Sequence, residues 1–283
     1  MPHVKIGNHQ LEYAWYGPRP EQAPTLVFLH EGLGCVAMWR EFPERVVERT
    51  ECGALVYSRA GYGNSDPIDL PRPVRFMHDE ALITLPQVLD SFEVREAILV
   101  GHSDGGSIAL IYAGGSNPPC IDNTENKRTL VFHKTKLRGL ILEAPHVFAE
   151  ELGIDSIRTI AEEYRNGQLR GRLERYHGKN VDCAFWGWNQ VWLDPAFQSW
   201  NIEEYLPHIR VPILLIQGED DQYGTLHQIK AIESGCAEAV RTVMLADCGH
   251  SPHFDQPERT LEAITSFLGE DNRESFLESK LTR

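Results

Sequence analysis

Six short apolar runs, hydrophobic without alternation, constrain this chain most: residues 26–29, 54–57, 97–100, 137–142, 213–216 and 241–245. A strand with one wet face alternates apolar and polar residues, whereas a strand buried on both faces reads as a continuous run. Between the runs, residues 78–91, 107–113, 226–234 and 257–268 have the spacing of amphipathic helices. This alternation predicts an α/β fold with a doubly wound, mostly parallel sheet covered by helices on both sides. Residues 4–6 and 11–16, with Gly7-Asn8 between them, read as a leading antiparallel hairpin. A chain of 283 residues is long enough to bury about 70–75% of its unfolded surface without staples.

Two stretches interrupt the alternation. Residues 114–136 carry Gly114-Gly115, Asn117-Pro118-Pro119 and a charged run at 122–128, and read as a long inserted surface loop. Residues 147–207 are helix-like, rich in Arg and Glu, and hold Trp186, Trp188, Trp192 and Trp200. They read as a helical cap inserted into a core made of residues 1–146 and 208–283. The polar tail from Glu270 to Arg283 is left between a terminal helix and a frayed end.

Charge narrows the partners. Asp and Glu number 41 against 27 Lys and Arg, for a net charge of −14. A nucleic acid or an anionic membrane surface needs a basic face, so neither is expected. The six cysteines, Cys35, Cys52, Cys120, Cys183, Cys236 and Cys248, form no C-x-x-C pair and read as reduced thiols. The first seven residues lack an apolar signal region, no apolar run approaches 18 residues, and no N-x-S/T acceptor occurs. The expectation is a cytoplasmic protein acting on a small molecule, with self-association into homo-oligomers left open.

The chemistry begins at Gly101-His102-Ser103-Asp104-Gly105, a G-x-S-x-G placed between the run at 97–100 and a helix. In a strand–turn–helix context the serine occupies a tight turn that lifts its hydroxyl above the sheet. Flanking glycines let the backbone approach closely, and the helix start offers free N–H groups to a developing oxyanion. A serine needs a base, and the base needs an orienting acid. The run at 213–216 ends in Gly218-Glu219-Asp220-Asp221, and the run at 241–245 leads to Asp247-Cys248-Gly249-His250. Serine, an aspartate from the 220–221 pair and His250 thus follow three successive strand ends, where such sheets bind their ligands.

Over nearly its whole length the chain resembles the α/β-hydrolase superfamily, in its esterase, lactonase and carbon–carbon hydrolase branch. The resemblance rests on His30-Glu31-Gly32-Leu33-Gly34, Ser58-Arg59-Ala60-Gly61-Tyr62-Gly63-Asn64-Ser65, the Ser103 turn, Gly218-Glu219-Asp220-Asp221, and Gly249-His250 followed by Pro257. It implies Ser103 as nucleophile, His250 as base and Asp221 as the acid. It also implies an oxyanion hole made of the Asp104 and Gly32 N–H groups. Glu31 stands where relatives carry glycine, which leaves Leu33 as an alternative donor. A serine at this position excludes the usual dehalogenase and epoxide-hydrolase branches, which use aspartate. The expected reaction is hydrolysis of a small ester or lactone through an acyl-enzyme, with no metal or organic cofactor. Carbon–carbon hydrolysis of a ring-cleavage dienoate and small-molecule reception are the rivals. The first needs cations for carboxylates, for which Arg158, Arg165, Arg170, Arg172 and Arg175 are at hand in the cap.

Other residues admit two readings. His250, His253 and Asp255 mimic a metal-ligand spacing, but His250 is already used by the serine. His30, Arg59 and Asn64 read as loop braces, and His102 as packing beside the turn. Leu33, His146, Trp186 and Trp188 are candidate substrate contacts; Phe185 and the cap tryptophans serve either as a substrate roof or as the cap's own core. Asp104 and Glu31 put negative charge near the pocket if their side chains face it.

Overall fold

Continuous apolar runs become strands here because alternate side chains enter two different helix layers. In β3 (Thr25–Leu29), Leu26 and Phe28 join one apolar cluster while Val27 and Leu29 join the other. β4 (Gly53–Tyr57) divides the same way, and so does β5 (Glu96–His102), with Ile98 and Val100 on one side and Ala97 and Leu99 on the other. Every second residue is thus withdrawn from water on each face, which is why no polar alternation survives in the sequence. The computed structural model describes residues 1–115 and 135–281, with side chains as far as Gly269.

Among the described residues the sheet has eight strands. β1 (His3–Ile6) and β2 (His9–Tyr16) form the antiparallel hairpin, with Gly7 at φ 56° in its turn. β2 pairs antiparallel with β4, and β3, β5, β6 (Lys136–Glu143), β7 (Ile213–Gly218) and β8 (Val240–Leu245) continue in parallel. The strand order is β1-β2-β4-β3-β5-β6-β7-β8. One face is covered by α1 (Phe42–Thr50) and α10 (Pro257–Leu281). The other carries α2 (Phe76–Asp79), α3 (Leu85–Ser91), α4 (Asp104–Gly115) and α8 (Leu226–Gly235). A short α9 (Pro252–Asp255) precedes α10.

Three local features depart from the sequence reading. α1 has no counterpart in it, although Phe42 and Val46 lie four apart on one buried face. The helix at 78–91 is interrupted by a π-helical turn at Glu80–Thr84. Pro86 enters α3 at its start, lacks an N–H and crowds the carbonyl four residues back, so the ladder widens there. α4 begins at Asp104, so Ser103 directly abuts a helix start. The inserted loop expected at 114–136 and Cys120 lie largely outside the described residues; the other five cysteines are free thiols. The α10 backbone runs on to Leu281.

Between β6 and β7 the chain passes through α5 (Glu151–Asn166), α6 (Leu169–His177) and α7 (Val181–Trp192). The two ends of this excursion are zipped together: Phe148 bridges Asn201, and the Ile202 N–H donates to the Val147 carbonyl at 2.8 Å. The following turn at Glu203–His208 packs on α4 instead, with Tyr205 against Gly114. Among the described residues no helix is long and apolar enough to cross a membrane.

The start of α4 approaches β3 so closely that a Cβ on Gly105 would lie 1.9 Å from the Leu29 carbonyl oxygen. Gly105→Ala must push helix and strand apart, at an expected loss of about 3 kcal/mol. A thermal melt should show Tm lower by roughly 6–12 °C; an unchanged Tm would refute this close approach.

Candidate active site

Ser103 follows the last residue of β5 and holds φ at 52°, a left-handed conformation that costs a non-glycine residue roughly 1–3 kcal/mol. The surroundings over-determine it. Its N–H donates to the Glu143 carbonyl of the neighbouring strand at 2.8 Å, and its carbonyl accepts from the N–H groups of Gly106 and Ser107 at 2.8 and 3.1 Å. The turn thus presents Ser103 Oγ at the C-terminal edge of the sheet.

His250 arrives from the loop after β8. Its Nε2 lies 2.8 Å from Ser103 Oγ, and its Nδ1 lies 2.9 and 2.8 Å from Asp221 Oδ1 and Oδ2. Donation from Nδ1–H to the carboxylate leaves Nε2 as an acceptor for the serine hydroxyl. Asp221 also accepts from the Tyr223 N–H at 2.7 Å and from Gln217 Nε2 at 2.6 Å. Burial pushes its carboxyl upward, but the His250 hydrogen bond and charge and the Tyr223 N–H outweigh burial and hold it below the ordinary range. Of the 220–221 pair, Asp221 meets the histidine while Asp220 is exposed.

The loop after β3 supplies the facing wall. The Leu33 N–H donates to Glu31 Oε2 at 2.8 Å and is therefore occupied. Among the described residues the Gly32 and Asp104 N–H groups have no hydrogen-bond acceptor. Gly32 is glycine for a steric reason: a Cβ there would lie 2.0 Å from Trp188 Nε1. His30 and Arg59 brace the loop. His30 Nδ1 donates to the Glu31 carbonyl at 2.7 Å, its Nε2 accepts from the Arg59 N–H at 3.1 Å, and Arg59 Nη2 donates to the same Glu31 carbonyl at 2.9 Å. Asn64 braces a second loop through the buried Glu12, donating from its N–H at 2.9 Å and from Nδ2 at 2.6 Å.

Ser103 and His250 open into a cavity of about 170 Å³ that Leu33, His146, Trp188 and Trp192 help to line. Trp186 does not line it. On α7 it sits roughly half a turn from Trp188 and Trp192, facing Tyr164 and Phe185 with the Arg165 guanidinium over its ring. Phe185 stacks on Tyr164 and Trp200 on Phe197, so these two build the interior of the helical excursion. Burial and the neighbouring His250 push His146 down to about 4, so it stays neutral. Tyr223 and Gln222 also line the cavity and have no motif that marks them in the sequence. No Arg or Lys is among the described lining residues. Arg158, Arg170 and Arg172 pair on the surface with Asp155, Asp182 and Glu163.

A second buried acid–histidine pair lies behind the first. Glu143 Oε2 accepts from His253 Nδ1 at 2.6 Å and from its N–H at 3.2 Å, while His102 donates from Nε2 to the His250 carbonyl at 2.7 Å. His250, His253 and Asp255 therefore point to three separate partners, the last accepting from the Gly249 N–H. From α6 and the turn after it, His177 donates to the Leu33 carbonyl at 2.9 Å and Asn180 to the Ser65 carbonyl at 2.6 Å.

A model described as the alpha/beta hydrolase family matches residues 26–263. The chain is 22% identical, over an alignment 289 positions long, to a proline iminopeptidase of Lactobacillus delbrueckii subsp. bulgaricus, covering 94% of this chain and 96% of the relative. It superposes on a thermophilic esterase from Thermogutta terrifontis with a TM-score of 0.69, at 19% identity, covering 96% and 99% of the two chains. The enol-lactonase of Burkholderia xenovorans LB400 superposes with a TM-score of 0.66, at 17% identity, covering 95% and 100%.

Glu31 itself is testable. Burial pushes its carboxyl up to about 7, against the opposing pull of Arg59 and the Leu33 N–H. A raised native pKa means that the folded state binds more protons than the unfolded state between the ordinary carboxylate range and about 7, so stability from this group falls as pH rises. Glu31→Gln keeps an acceptor for Leu33 and carries no charge. Its Tm relative to wild type should be higher at pH 8 than at pH 5; a pH-independent difference would show that the carboxylate is not desolvated.

Proposed function

We propose, for a chain that belongs to the alpha/beta hydrolase family and is a hydrolytic enzyme, that Ser103, His250 and Asp221 cleave a small ester or lactone through an acyl-enzyme. The observation that carries this reading is the continuous hydrogen-bonded line from Ser103 Oγ through His250 to Asp221, opening on a cavity.

Ser103 Oγ attacks the acyl carbonyl carbon while its proton passes to His250 Nε2. Asp221 stabilises the imidazolium through Nδ1–H. The negative charge on the former carbonyl oxygen falls between the Gly32 and Asp104 N–H groups, the second at the start of α4, where the helix dipole adds to it. Collapse breaks the bond to the alcohol oxygen, which takes the proton from His250; in a lactone that alcohol stays tethered to the acyl group. Water, deprotonated by His250, then attacks the acyl-serine, and a second collapse releases the acid and restores Ser103. The cap supplies the roof through Trp188 and Trp192. The carbon–carbon hydrolase reading is disfavoured because the arginines it needs lie outside the cavity.

p-Nitrophenyl esters of graded acyl length test the reading. Wild type should show a burst followed by steady turnover. Ser103→Ala should lose at least about 10⁴-fold in kcat and Asp221→Asn roughly 10³–10⁴-fold. Turnover retained by Ser103→Ala would sink the assignment, and a burst without turnover would favour a receptor.

A further inference from the structure

One residue lining the cavity is an acid with no close cation among the described residues. Glu31 lines it beside Ser103, and among the described residues no Lys, Arg or His nitrogen lies within 4 Å of its carboxylate. The nearest buried cation, Arg59, is committed elsewhere: its Nη2 donates to the Glu31 backbone carbonyl at 2.9 Å and lies 3.9 Å from Asp104 Oδ2. That one guanidinium acts on Glu31, Glu80 and Asp104 together. Asp104 has a further donor in Trp192 Nε1 at 3.2 Å. One Glu31 oxygen, Oε2, is held by the Leu33 N–H, and the other has no donor among the described residues. Three aromatic rings, those of Trp188, Trp192 and Tyr223, are among the other lining residues.

We propose that Glu31 and these rings form a subsite for an alkylammonium group, so that the enzyme selects acyl substrates bearing a positively charged nitrogen and rejects carboxylates. The inference rests on the hydrolase reading only for the word substrate; the binding it describes does not require turnover. An ammonium seated there completes the charge of Glu31, and the ring faces add cation–π attraction without competing for its hydrogen bonds. A carboxylate in the same place meets Glu31 with no Lys or Arg among the described lining residues. Water is an imperfect substitute for an ammonium here, as burial already drives Glu31 toward its protonated form at about 7. A bound cation would draw that proton off.

Calorimetric titration with choline and with its uncharged isostere, 3,3-dimethylbutan-1-ol, tests the proposal at pH 8. Wild type and Ser103→Ala should both bind choline at least about tenfold more tightly than the isostere, a difference of about 1.4 kcal/mol. In Glu31→Gln the ratio should fall to about one to three. Equal binding of the two probes by wild type, no binding of choline, or an unchanged ratio in folded Glu31→Gln would each overturn it. Ser103→Ala separates the two readings: loss of ester turnover bears on the hydrolase, and the choline ratio bears on the subsite.

Discussion

The arrangement depends on one strained residue. Ser103 can hold φ at 52° only because β6 accepts its N–H through Glu143 and α4 accepts no side chain at Gly105. Remove either support and the serine relaxes toward ordinary backbone, and Oγ leaves the line to His250. The same Glu143 whose carbonyl holds Ser103 uses its carboxylate to hold His253, three residues past His250. One buried residue therefore ties the Ser103 turn to the loop of His250, and His102 adds a second tie through the His250 carbonyl. The geometry is a property of strand ends and the loops that leave them, locked to each other.

Buried charge is the second organising constraint. Desolvation raises the carboxyls of Glu31, Glu80 and Asp104, and one fully buried guanidinium, Arg59, opposes it in all three. Asp221 goes the other way, because His250 and a backbone N–H bond its ionised form directly. The site thus separates two kinds of carboxylate: one lowered by direct donors, others raised by burial.

Much of this was legible along the chain because it is local. Ser103, Asp221 and His250 each sit just past an apolar run; those in β5 and β7 are buried central strands, whereas β8, expected to be buried on both faces, is a partly exposed edge strand. The Asp220–Asp221 ambiguity needed coordinates, since adjacent residues leave a strand end in different directions. Trp186 was misplaced for a related reason: counting aromatics in a helix says nothing of its face, and α7 turns Trp188 and Trp192 inward while Trp186 meets Arg165. The Glu143–His253 pair spans 110 residues and the His177–Leu33 bond 144, distances over which no spacing rule operates. Tyr223 became visible only as a wall of the cavity.

The cavity's walls come from five separate stretches: the loop after β3, the Ser103 turn, the helical excursion, and the loops after β7 and β8. Four of these are anchored on strand ends of the sheet. The fifth is zipped shut at its own base and pinned on its far side by His177 and Asn180 to the loops at Leu33 and Ser65. The loop that offers the Gly32 N–H is therefore held from below by His30 and Arg59 and from above by the excursion. Trp188 completes the clamp, for it occupies the space that any side chain at position 32 would need. The excursion and the loop after β3 are consequently one packed unit: a substitution that shifts α7 moves the Gly32 N–H as well as changing the shape of the cavity.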